Sequence, residues 1–130
     1  MLKKFSLLIS VFYTLILSAL SLLKLEGVVK EMSSVNDKVG HALAHFIFVV
    51  LWFLVFNFKF NIKFNKALIF SALLSLVYGI SIELLQGYVT VSRQNEFKDV
   101  LANILGTVFA VVLLIHVKKR MLKNINSLLF

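Results

Sequence analysis

Glu83 stands in a stretch too apolar to be a water-facing helix, while Asp37, Lys38, His41, His45, Gln86, Arg93, Asp99 and Asn103 stand near the ends of apolar stretches. A carboxylate in or beside hydrocarbon is costly unless paired, hydrated or protonated, so by default it marks a functional site. The residue types suit three chemistries. Lys38 and Arg93 can hold a phosphate or carboxylate while Glu83 and Asp99 position them. Glu83 or His41 can act as a general base, with the cations stabilising developing negative charge. Asp37, His41, Glu83 and Asp99 also carry the oxygen and nitrogen donors of a divalent-metal site. HALAH (41–45) lacks the glutamate of the zinc-protease HExxH signature, however, so the sequence reading assigns neither metal nor cofactor.

Each residue also has a plain structural role. Asp37 and Asp99 can cap helices, and Lys38 and Arg93 can reach toward lipid headgroups. His45, a turn deeper than His41, reads as hydrogen-bonded filling, and Gln86 and Asn103 as polar glue between helices. For Asp37 or Asp99 alone the structural role leads, but convergence of the whole set at one membrane face favours function over a purely structural polar cluster.

The elements that must position these groups are membrane spans. The chain has 130 residues, 60% hydrophobic and 15% charged, with no proline and a mean hydropathy of +0.94. Such a composition would expose far too much apolar surface as a soluble monomer. Spans take roughly 20 residues each, so four of them consume the length: about 5–23, 41–58, 67–85 and 100–117. The expected fold is an all-α, integral membrane four-helix bundle forming one domain over 1–130. Lys3 and Lys4 precede the first apolar run, but it exceeds the ordinary signal-peptide length and no small-x-small cleavage site follows, so it reads as a retained span. Without cysteine there is neither a disulfide nor a thiolate chemistry to consider.

Charge decides the expected orientation. Lys3 and Lys4, then Lys59, Lys63 and Lys66, then Lys118, Lys119, Arg120 and Lys123 fall on one side with no acidic residue among them. The net charge of +8 therefore reads as membrane orientation, not as a nucleic-acid footprint. Both termini are expected in the cytoplasm of a bacterial inner membrane, which puts the polar set at the extracytoplasmic face.

Small residues recur every four positions: Ser6, Ser10, Thr14 and Ser18, then Ser71, Ser75 and Gly79, then Ala102, Gly106 and Ala110. In lipid such stripes mark helix contact faces, within the chain or with another membrane protein. One more step along the second stripe reaches Glu83, which therefore points into the bundle. Asp37, His41 and His45 share one side of a helix beginning near Asn36 or Asp37, and Asp99, Asn103 and Gly106 share another. Phe58, Phe60, Ile62 and Phe64 alternate with Lys59, Asn61, Lys63 and Asn65, which predicts an extended segment on the lipid surface.

The run DKVGH (37–41), then IELLQ (82–86), Arg93 and DVLANILG (99–106) resembles the VanZ-like family of small bacterial membrane proteins, over about 37–110. Departures from the family pattern include His45, where an aromatic is frequent, and Ala110, where a second glycine is frequent. The resemblance implies a cell-envelope role and an effect on susceptibility to glycopeptide antibiotics of the teicoplanin type. The expected partners are the lipid bilayer and a lipid-linked cell-wall precursor or other anionic envelope ligand. They would meet at Asp37, Lys38, His41, Glu83, Gln86, Arg93, Asp99 and Asn103. An enzyme acting on a lipid or phosphate substrate is the alternative.

Overall fold

The computed structural model describes residues 2–22, 34–89 and 97–129. Four helices run through them: α1 (Leu2–Leu22), α2 (Ser34–Leu54), α3 (Phe64–Val89) and α4 (Phe97–Leu129). Each is long and apolar enough to cross a membrane, and there is no strand among the described residues. The chain is an all-α four-helix bundle of the multi-pass membrane type. Lipid offers no hydrogen-bond partners, so spans that satisfy their own backbone are the structure such apolar runs must take.

The helices outrun the apolar segments that announce them. α2 begins at Ser34 and α4 at Phe97, which places Asp37 and Asp99 in first helical turns, where a carboxylate favours the positive helix end. At 33 residues α4 is about 50 Å long, well beyond a hydrocarbon core of about 30 Å, so its last turns carry their lysines past the apolar layer.

Packing inverts the soluble pattern. Large side chains such as Leu8, Phe12, Leu73, Val77, Phe109 and Val112 lie exposed, whereas Ser10, Ser71, Ser75, Ala102, Gly106 and Ala110 are buried. Apolar side chains gain little by leaving lipid, so close backbone approach at small residues holds the helices together. α2 and α4, which start at the same end, make the tightest approach, with Gly106 lying against the Ala42 backbone. α1 is tied on by polar contacts. Tyr13 donates to the Ala44 carbonyl at 2.7 Å, Trp52 Nε1 donates to Thr14 Oγ1 at 3.1 Å, and the Ser18 and Tyr78 hydroxyls share a bond of 2.9 Å.

The expected extended segment after α2 is instead a tight reversal. α2 passes into a π-helical turn (Val55–Lys59), closed by Phe60 N–H on the Val55 carbonyl at 3.1 Å and Ile62 N–H on the Phe56 carbonyl at 2.9 Å. Asn61 takes a left-handed conformation, φ 55°, and Asn57 Nδ2 donates to the Ile62 carbonyl at 3.0 Å. Alternation misleads here because Phe64 turns back onto Phe53, ring centroids 5.1 Å apart, and Ile62 packs on the cluster of Phe53, Ala67 and Leu68. Packing and backbone satisfaction at the reversal outweigh the period of two.

Candidate functional site

The starts of α2 and α4 and the end of α3 lie at one end of the bundle. The basic residues at the α2–α3 turn and on the last turns of α4 lie at the other. Lys118 Nζ, for example, sits 4.3 Å from the centre of the Phe64 ring.

At the polar end the Lys38 ammonium of α2 bonds the Asp99 carboxylate of α4 and lies 3.5 Å from Asp37 Oδ2. His41 Nε2 is 3.8 Å from Asp37 Oδ1 and 3.7 Å from Asp99 Oδ2, ion-pair range but beyond hydrogen-bond reach. Side-chain exposure falls from 31% at Asp37 to 11% at Asp99, so the cluster opens outward past Asp37. Helical spacing explains the meeting: Lys38 and His41 are three apart on one face of α2 and reach the first turn of α4 together.

One turn deeper lies a second polar layer. A Cβ on Gly79 of α3 would meet His45 Cε1 at 2.9 Å and Asn103 Nδ2 at 3.0 Å. The three helices therefore touch at 45, 79 and 103. One turn outward on each are His41, Glu83 and Asp99, which places Glu83 at the level of the ionic cluster on the inward face of α3. It is buried, 5% exposed, as its position on the small-residue stripe predicts.

Below this layer runs a directed hydrogen-bond chain. Thr107 Oγ1 donates to the Asn103 carbonyl at 2.9 Å, so its lone pair accepts from Ser75 Oγ at 2.8 Å. Ser75 Oγ then accepts the Nδ1 proton of His45, also at 2.8 Å. Hydroxyls carry one proton each, so this order leaves Nε2 of the neutral ring as an acceptor on the Gly79 side. His45 is hydrogen-bonded filling, as its place a turn deeper than His41 suggests, and its bond to Ser75 continues to Thr107 of α4. The spacing of Ser75 marks only a contact stripe and identifies no partner on α4.

Of the eight residues expected to form one site, Asp37, Lys38, His41 and Asp99 are joined by direct contacts. Asn103 lies one layer deeper, buried, with Oδ1 lacking a hydrogen-bond partner among the described residues. Gln86 is buried and donates Nε2 to the Ser21 carbonyl at 2.7 Å, tying α3 to α1. Arg93 lies outside the described residues.

Asp37, His41 and Asp99 offer ligand atoms within 4.8 Å of one another, a donor set that could hold a divalent ion. Glu83, the fourth donor expected from sequence, is not part of that group. Lys38 occupies the same carboxylates and supplies positive charge where a metal would. Comparison with protein-family models, curated proteins and solved structures finds no match.

Proposed function

We propose that this chain is a VanZ-like protein of a bacterial cytoplasmic membrane, with both termini in the cytoplasm. Its polar cluster would bind the charged headgroup of a lipid-linked cell-envelope ligand, and so lower susceptibility to glycopeptide antibiotics. The carrying observation is Lys38 bonded to Asp99 of another helix, beside Asp37 and His41. Two carboxylates hold the ammonium in place, beside Asp37 at the more exposed side of the cluster. The charge of that ammonium would attract a phosphate, while Asp37, the most exposed member, would accept from hydroxyl or amine groups beside the phosphate. Collection of the basic residues at the opposite end supports the orientation.

The test is binding of a prenyl-pyrophosphate-linked cell-wall precursor to the full chain in lipid nanodiscs. Lys38→Ala should weaken it by roughly tenfold or more, the loss of one charge-assisted contact, and Lys38→Arg should restore part of it. Equal binding by Lys38→Ala and the unaltered protein would refute the reading.

His41 supports a second reading, as a membrane enzyme. His41 Nε2 lies in ion-pair range of two carboxylates, which would stabilise the imidazolium that a general base becomes on taking a proton, and Glu83 lies at the same level. Turnover of prenyl-phosphate lipid that is abolished by His41→Gln or Glu83→Gln, with binding and folding intact, would establish it; binding without turnover leaves the first reading in place.

A further inference from the structure

We infer that α2 and α4 form a site for one anionic phospholipid, its acyl chain in the groove between them and its phosphate at His116, Lys119, Arg120 and Lys123, toward the membrane end opposite that cluster. The groove, about 660 Å³, is lined by Val39, Leu43 and Phe46 of α2 and by Phe109, Val112 and Leu113 of α4. Its volume lies within the usual range of ligand sites, about 300–1,000 Å³. Gly106 draws the two helices together at Ala42, which also lines the groove, and larger residues on both sides of Ala42 along α2 form one wall.

His116 closes the groove and also borders a second hollow, about 380 Å³, whose other walls are Lys119, Arg120 and Lys123. These four residues follow the i, i+3, i+4, i+7 spacing of one helix face, and α4 carries no acidic residue after Asp99. Lys118 takes no part, being packed on the Phe64 ring. The α4 wall runs from Phe109 to His116, about 10 Å of rise, within the roughly 15 Å that is half of a hydrocarbon core of about 30 Å. Apolar length and cationic end thus match one leaflet's chain and headgroup. A neutral lipid or a neighbouring apolar helix would leave the basic end without a counterpart, and basic pockets at helix ends bind anionic headgroups.

The experiment is native mass spectrometry of the full chain in detergent, titrated with palmitoyl-oleoyl phosphatidylglycerol or the phosphatidylcholine of the same chains. One phosphatidylglycerol should bind with a preference of roughly tenfold or more, as several lysine and arginine contacts provide. Lys119→Gln/Arg120→Gln/Lys123→Gln should erase the preference, and Leu43→Trp/Leu113→Trp should weaken both lipids. Lys59→Gln/Lys63→Gln/Lys66→Gln, equal in charge removed, should keep the preference. The inference is overturned by equal affinities for the two lipids, or by equal loss in the two charge triples. Glycerol phosphate binding as tightly as the lipid would mark a free-phosphate site, and a lipid-free dimer would mark a groove covered by a second copy; either also overturns it. Equal affinities for the two lipids on the unaltered protein overturn the inference whatever the yield of the variants, and the measurement does not depend on the envelope ligand.

Discussion

Gly106 of α4 lies so close to Ala42 of α2 that a Cβ there would sit 2.7 Å from the Ala42 carbonyl carbon and 2.9 Å from its Cα. The obstacle is backbone, which cannot rotate away. Gly106→Ala should therefore push α2 and α4 apart and destabilise the bundle by about 1–3 kcal/mol or more, the range for overpacking. Thermal unfolding in detergent, followed by circular dichroism, reads the loss. A melting curve unchanged from the parent would mean the two helices do not meet at this point.

Lys38 and Asp99 are coupled across the same pair of helices. Lys38→Met leaves the Asp37 and Asp99 carboxylates facing each other without the ammonium, and should cost about 1–3 kcal/mol, tempered by the partial exposure of Lys38 and Asp37. Asp99→Leu added to it should recover much of that loss, because replacing both partners removes the uncompensated charge. Additive losses in the double-mutant cycle would show that the pair makes no mutual contribution.

Removing Lys38 should also uncover the donor set of Asp37, His41 and Asp99, whose ligand atoms lie within 4.8 Å of one another. Zinc should then raise the melting temperature of Lys38→Met more than that of the unaltered protein, through binding to the folded state alone. Addition of His41→Ala should abolish the difference. Equal zinc effects with and without His41 would place the ion elsewhere.

The chain from His45 through Ser75 to Thr107 predicts a tautomer. Nitrogen NMR of the His45 ring should find the proton on Nδ1, since Ser75 Oγ is committed to Thr107 as a donor. Ser75→Ala should cost about 0.6–2 kcal/mol, the scale of polar contacts between membrane helices, and should change the ring spectrum as well. A ring protonated on Nε2 in the native protein would reverse the direction assigned to the bonds.

Gly79→Ala should be milder than Gly106→Ala. A Cβ at position 79 meets side-chain atoms of His45 and Asn103, at 2.9 and 3.0 Å, and side chains can shift by a few tenths of an ångström. A loss of about 1 kcal/mol or less, against the larger loss at 106, checks that backbone contact and side-chain contact are correctly told apart.

Much of the arrangement was written locally. Apolar runs longer than a hydrocarbon core fix four helical spans, because unpaired backbone cannot sit in lipid. Spacing of four on α2, α3 and α4 puts Asp37, His41 and His45, then Ser75, Gly79 and Glu83, then Asp99, Asn103 and Gly106 on single faces, and charge separates one membrane end from the other. Which face meets which is a property of pairs. That Lys38 chooses Asp99, 61 residues away, that Ser75 joins His45 to Thr107, and that Gly106 fits on Ala42 follow from shape and polar pairing between helices. The reversal after α2 is of the same kind: alternation predicts an extended strip, and contact between Phe53 and Phe64 folds it into a π-helical turn. Within each segment, period and hydropathy suffice because every residue feels the same lipid; between segments, only the assembled bundle selects the partners, since close approach and satisfied polar groups require two helices at once.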